Sequence, residues 1–265
     1  MHLVQPEDQA KGTVILCHGY LDHSALYAPF THFLLEQGYA VVLWDLPGHG
    51  LSSGEPADID SFHSYGHIFA DILGLAGERM PAPYSAVGHS TGASTIMEYM
   101  QRNGNGASRL EAGILVAPLV RSYAWHISQL SKRVAGFFID RVHRVQRRIT
   151  HDPDFQRFLK HVAPLTCSAV PFCWINALKK WNEEVEQWPV NNADVLVVQG
   201  TKDSVLSWKY NLEFLKRKFP NSTTKRIPGA FHHLLNESAE YREPVYQLIA
   251  RELSEPPHHT LNERF

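Results

Sequence analysis

Short apolar runs rich in β-branched residues alternate along this chain with longer stretches of helical period. TVILCHG (13–19), YAVVLWD (39–45), YSAVGHS (84–90), LEAGILVAP (110–118), DVLVVQG (194–200) and TTKRIPG (223–229) read as strands. Helical periodicity covers 24–37, closed by Gly38, then 61–79 with Ser61 as N-cap, then 91–103, about 207–218 and about 238–254. Strands that are apolar throughout and separated by helices predict a mainly parallel sheet covered on both faces. The polar tail SEPPHHTLNERF (254–265) is expected to fray.

One region breaks this rhythm. Residues 120–190 show helical periodicity, with Val134, Phe138, Val142, Val145 and Ile149 as one apolar stripe, and no strand signal. They read as a helical insertion between two strands. The predicted organisation is a core of 1–119 and 191–265 with a helical cap at 120–190.

Composition narrows the function classes. At 265 residues with 44% hydrophobic content, the chain suits a soluble α/β domain with ample core material. A formal charge of −2 argues against a nucleic-acid partner. Neither a transmembrane run nor a signal peptide is apparent. Cys17, Cys167 and Cys173 lack metal-ligand spacing and read as reduced thiols, so a cytoplasmic location is expected. The 16 histidines invite a metal reading, but there is no HExxH or Cys/His cluster. The adjacent pairs His232–His233 and His258–His259 point to different sides of a helix or strand, so no metal is expected.

In such sheets the active site lies at the carboxyl ends of the strands. Four of the predicted strand ends carry chemistry: His18–Gly19, Ser90, Asp203 and His232. Ser90 sits between Gly88 and Gly92, a G-x-S-x-G pattern in which a sharp turn forces strand and helix backbones together. A serine hydroxyl needs a base to attack a carbonyl. The order Ser90, Asp203, His232 suits His232 as base and Asp203 as the group orienting it. His233 is the rival base, and Asp194, at the wrong end of its strand, the rival acid. The N–H groups of Thr91 and Tyr20 are candidate oxyanion donors. His18 is read as orienting the Tyr20 loop, and His89 as packing beside the nucleophile.

These motifs resemble the α/β-hydrolase superfamily, and within it the monoacylglycerol lipase and lysophospholipase branch. The matching pieces are HGYLDHS, WDLPGHGLSSG, VGHSTGA, VQGTKDSVL and IPGAFHHLLNE, in that order. The resemblance implies an α/β-hydrolase fold with a helical cap, Ser90 as nucleophile, Asp203 as acid, His232 as base, Tyr20 and Thr91 as the oxyanion hole, and no cofactor. The chain departs from the branch in having only twelve residues before TVILCHG, so the first strands should be short or missing. It also has Asp22–His23 where Glu-His is common, and His232–His233–Leu234 where His-Glu-Leu is common.

The expected activity is hydrolysis of a carboxylic ester in a single-chain glycerolipid, monoacylglycerol or lysophospholipid. Two alternatives stay open: a small-ester, thioester or C–C substrate, and a non-catalytic ligand-binding relative. Residues 121–160 hold nine Lys/Arg against three acids. On a helix Arg141, Arg144 and Arg148 would share one face. That face is either a solvated exterior or a basic surface that meets anionic lipid or a phosphate head group. Phe172, Trp174 and Trp181 are candidates to line an acyl tunnel, with Ile175 and Leu178 beside them; ordinary packing is the alternative.

Overall fold

The computed structural model describes residues 1–104, 109–123, 140–143 and 147–254. Nine strands occur among them: β1 (His2–Val4), β2 (Thr13–Cys17), β3 (Ala40–Trp44), β4 (Tyr84–His89), β5 (Leu110–Val116), β6 (Arg141–His143), β7 (Ala169–Pro171), β8 (Val195–Gly200) and β9 (Thr223–Ile227). The helices are α1 (Ala28–Glu36), α2 (Phe62–Arg79), α3 (Thr91–Asn103), α4 (Pro153–His161), α5 (Phe172–Val185), α6 (Trp208–Lys218) and α7 (Ala239–Ser254).

Seven strands form one sheet in the order β1-β3-β2-β4-β5-β8-β9. Only β1 is antiparallel, and it is the short first strand that the brief N-terminal lead predicts. The central parallel strands β2, β3, β4 and β8 are buried on both faces, successive side chains pointing to opposite sides, whereas the edge strand β9 is mostly exposed. Ile15, Val42, Ala86, Leu115 and Val197 join one core, under α2, α3, α5 and α6. Val14, Leu16, Val41, Val87, Ile114 and Val198 join the other, under α1 and α7. The helix signals hold locally. Ser61 Oγ accepts the His63 N–H at 3.3 Å, and Gly38, at φ +84°, ends the first helical segment. That segment opens with a 3₁₀ turn, Ser24–Tyr27, before α1 begins.

Among the described residues, the chain between β5 and β8 adds no strand to the main sheet, but it is not wholly helical. β6 and β7 pair antiparallel, with Val142 opposite Val170. The expected apolar helical stripe therefore fails where it can be examined. Arg141–His143 is strand, because β-branched Val142 finds a cross-strand partner. The backbone at 147–150 is irregular while Ile149 and Thr150 are buried, so Arg141 and Arg148 share no helix face. Val134, Phe138, Val145, Lys132, Arg133 and Arg144 lie outside the described residues, as does most of the tail. No helix among the described residues is long and apolar enough to cross a membrane.

Candidate active site

Because β2, β4, β5, β8 and β9 run parallel, their carboxyl ends share one edge, where the suspected residues gather. Ser90 follows β4 at φ 54°, ψ −112°, in the left-handed region that a side-chain-bearing residue enters only at a cost. The two glycines make that turn possible. A Cβ on Gly88 would lie 2.6 Å from Ala93 N, and one on Gly92 would lie 2.6 Å from the Cys17 carbonyl carbon. The elbow is pinned from outside: the Ser90 N–H donates to Val116 O, and its carbonyl accepts from Leu119 N–H.

His232 follows β9, and its Nδ1 lies 2.8 Å from Asp203 Oδ2 in the loop after β8. Asp203 is buried, and its carboxylate is well supplied with donors. Val205 and Leu206 N–H groups reach Oδ1 at 2.8 and 3.1 Å, and the Gln199 amide reaches Oδ2 at 3.1 Å. Burial alone would raise its pKa. The facing His232 imidazole and the backbone donors outweigh that and hold it below the usual carboxylate range. Asp203 is thus an anion facing an imidazole whose second nitrogen is left for other work.

A cavity of about 300 Å³ opens at this edge, and Ser90, Thr91, Tyr20 and His232 all line it. Its walls are mainly apolar, with Leu119, Ile149, Val170, Trp174, Val205 and Leu206 among them. Of the aromatic residues expected in an acyl tunnel, Trp174 lines the cavity, stacked on Tyr20 with ring centroids 3.7 Å apart. Phe172 and Trp181 do not line it. Trp181 packs flat on Phe62 in the core, and its N–H donates to buried Glu98 at 2.8 Å, a partner invisible in the local sequence. Ile175 is packed against the core and Leu178 buried within it. Arg144, the cationic candidate, lies outside the described residues.

His233 is engaged elsewhere. Its Nε2–H donates to Asp22 Oδ2 at 3.1 Å, while Nδ1 faces the Asn236 amide. Tyr27 ties this pair to the oxyanion loop. Its hydroxyl accepts the Gly19 N–H at 3.1 Å and lies within hydrogen-bond distance of Asp22 and His89 Nδ1. His89 Nε2–H donates to the His232 carbonyl at 3.1 Å. One buried network therefore joins the loops after β2 and β9 to the carboxyl end of β4. The sequence marks Asp22 only as a departure from a pattern, and His233 as that and as a rival base, because nothing local says that the two meet. Burial among two other histidines keeps His89 well below its ordinary pKa, so it is neutral. His18 is likewise buried and neutral, pushed down to about 4. Its Nδ1–H donates to Gly19 O at 2.7 Å and its Nε2 accepts from Leu46 N–H at 2.8 Å, which fixes the tautomer.

Asp22, His89 and His233 are the three metal-competent side chains that come together among the described residues, their ligand atoms within 4.8 Å. Those atoms are already taken up by hydrogen bonds with Tyr27, Asn236 and one another, the pattern of a structural network rather than an open coordination site.

A parallel sheet with its serine elbow at one strand end and a buried His–Asp pair beside it defines an α/β-hydrolase. A family model described as serine aminopeptidase, S33 (Hydrolase_4) matches residues 8–239. The chain belongs to that family and is a serine hydrolase. It is 23% identical over 242 residues to a monoacylglycerol lipase of Mycolicibacterium smegmatis, covering 88% of this chain and 85% of that one. It is 22% identical over 277 residues to a probable lysophospholipase L2 of Haemophilus influenzae, covering 94% and 85%. Among solved structures, a soluble variant of monoglyceride lipase from Saccharomyces cerevisiae, in complex with a substrate analog, superposes with a TM-score of 0.79. That match has 18% identity and covers 95% and 90% of the two chains.

Proposed function

We propose that this protein hydrolyses carboxylic esters of single-chain glycerolipids through an acyl-enzyme formed on Ser90. The observation that carries the reading is the mainly apolar cavity bounded by both Ser90 and the Asp203-held His232. An aliphatic chain suits such walls, at roughly 0.8 kcal/mol for each CH₂ removed from water. The names of relatives matched over 85% of their length, a monoacylglycerol lipase and a probable lysophospholipase, support the substrate class.

In this mechanism Ser90 Oγ attacks the ester carbonyl and its proton passes to His232 Nε2. Asp203 accepts the Nδ1–H and stabilises the imidazolium. The N–H groups of Thr91, at the start of α3, and of Tyr20 receive the oxyanion. The carbon–oxygen bond to the alcohol then breaks, and the leaving oxygen takes the proton from His232. Water repeats the sequence on the acyl-enzyme and releases the fatty acid. Residues 120–190 act as the cap over the 1–119 and 191–265 core: Ile149, Val170 and Trp174 supply cavity wall from that segment.

The test is a fluorophosphonate probe with the wild type and Ser90→Ala, followed by p-nitrophenyl esters of graded chain length. Labelling should vanish in Ser90→Ala, and kcat/KM should rise with chain length until the cavity is full. Labelling that survives the substitution removes Ser90 from the nucleophile's role. A preference for acetyl over every longer ester refutes the lipid assignment.

A further inference from the structure

We propose that the substrate's leaving alcohol carries a phosphomonoester, and that Arg147, Arg148 and Lys160 form the site receiving it. This inference rests on the reading of Ser90 as the nucleophile of an ester hydrolase. Arg147 and Ile149 line the catalytic cavity and also line a second hollow of about 400 Å³. Arg147 borders a third of about 470 Å³ as well, and the two outer hollows share Arg147, Gln156, Lys160 and His161. Arg147 is thus the common wall of all three.

Charge is sorted sharply between them. The catalytic cavity is mainly apolar, whereas the third hollow adds Arg148, Arg157 and His151. Among the described residues, no carboxylate lines either outer hollow. The nearby acids are committed to partners other than Arg147, Arg148 and Lys160, Glu237 pairing with the His151 ring at 3.0 Å. Asp152 caps α4 by accepting the Asp154 and Phe155 N–H groups, each at 2.9 Å, and Asp154 pairs with Arg157 at 3.1 Å. Glu237 is buried and accepts the His151 and Phe231 N–H groups.

The two arginines are held by neutral groups instead. Arg147 donates to Ser204 O and lies over the Tyr123 ring at 5.0 Å. Arg148 Nε donates to Thr150 O at 3.3 Å, and its guanidinium lies 5.1 Å from the centre of the Phe231 ring. Among the described residues, neither they nor Lys160 has an ion-pair partner. Carbonyls and rings orient a guanidinium without neutralising it, so the charge remains available to a ligand. Concave walls of one sign also concentrate the field.

The position is equally specific. Ser204 adjoins Asp203, so the Arg147 anchor lies on the loop carrying the proposed acid. With the acyl chain in the apolar cavity, the leaving alcohol is the part of the substrate free to reach the cationic wall. A phosphomonoester, with up to two negative charges and three acceptor oxygens, matches two arginines and a lysine. A choline-bearing diester does not: among the described residues the outer hollows present no carboxylate and no Trp, Tyr or Phe for a quaternary ammonium.

The experiment measures binding separately from turnover. Ser90→Ala protein is titrated with a 1-acylglycerol 3-phosphate and with the 1-acylglycerol of the same chain, both below their critical micelle concentrations. The phosphorylated ligand should bind at least ten-fold tighter, and that margin should shrink as salt is raised. Adding Arg148→Gln with Lys160→Gln, both on exposed side chains, should erase it. Glycerol 3-phosphate alone should displace the phosphorylated ligand. Equal affinities, or a margin that survives the double substitution, overturn the proposal. So does binding to phosphatidylglycerol vesicles that the double variant loses while monomer binding stays unchanged, since the cations would then serve a membrane surface. If the ten-fold margin appears but the wild type neither turns over the ester nor reacts with a fluorophosphonate, the anion site stands and the Ser90 reading fails.

Discussion

Gly92→Ala tests whether the elbow depends on backbone contact rather than on a side chain. A Cβ at Gly92 would lie 2.6 Å from the Cys17 carbonyl carbon and 2.8 Å from Cys17 Cβ, where ordinary contact begins at 3.4 Å. Strand β2 and helix α3 would have to separate by at least about 0.8 Å, since the Cys17 carbonyl oxygen lies closer still than its carbon. Neither yields easily, since β2 is buried throughout and hydrogen-bonded on both sides, to β3 and β4. Overpacking of this kind costs roughly 1–3 kcal/mol. At about 2–4 °C per kcal/mol for a domain near this size, Tm should fall by roughly 2–12 °C. The same shift moves the Thr91 N–H and the Ser90 hydroxyl, and a misplacement near 1 Å costs on the order of 100-fold in rate. Gly74→Ala is the control. Nothing lies within 4 Å of its added Cβ in the interior of α2, so it should stabilise by about 0.4–1 kcal/mol and leave activity unchanged. Calorimetry and p-nitrophenyl ester turnover on both variants decide the matter. Wild-type Tm and rate in Gly92→Ala refute the steric account, as does an equal loss in Gly74→Ala.

Other outcomes follow from the buried polar groups. Asp203→Asn should keep the fold but lower kcat by roughly 10³–10⁴-fold, because the amide no longer fixes the His232 tautomer; a loss under ten-fold in steady-state assays rejects Asp203 as the orienting group. His18 is neutral when folded, with a pKa of about 4, while the unfolded chain binds its proton below about 6.5. Its folded pKa is depressed, so acidification favours the unfolded state. Stability should drop by about 2 kcal/mol between pH 7.5 and 5 from this residue alone, read by urea titration. His63 behaves oppositely. Burial opposes its charge, but Glu98 at 2.6 Å and Glu184 at 2.7 Å raise its pKa. Its contribution is complete below pH 6.5 and is lost as pH climbs through the raised value. Amide exchange in α5 should therefore quicken over that window in the wild type, and His63→Gln should show no such step. Trp181→Phe keeps the ring packing but strips buried Glu98 of an N–H, and should cost about 1–3 kcal/mol by urea denaturation with little change in kcat.

The order of strands and helices was legible because the central parallel strands β2, β3, β4 and β8 had to be largely apolar, and only the edge strand β9, TTKRI, is polar. The period-2 split of Val14 and Ile15 onto two cores is written in the residues themselves. The elbow was legible too, since Gly88 and Gly92 answer a backbone contact only a few residues away. The short strand pair inside the insertion was not legible because the 3.6-residue period at Val142 carries no information about Val170, its partner 28 positions later. Whether Trp181 lines a tunnel or packs stayed open in the sequence for a similar reason: its acceptor Glu98 is 83 residues distant.

By itself the sequence determined the fold class and the short list Ser90, Asp203 and His232, because both rest on local periodicity and motif spacing. The tertiary structure alone decided which histidine faces Asp203, and it tied Asp22, Tyr27, His89 and His233 into one buried network. It alone set Arg147 on the wall shared by an apolar cavity and two basic hollows. Hydrogen bonds and electric fields act over a few ångströms in space, between residues whose separation along the chain runs to hundreds.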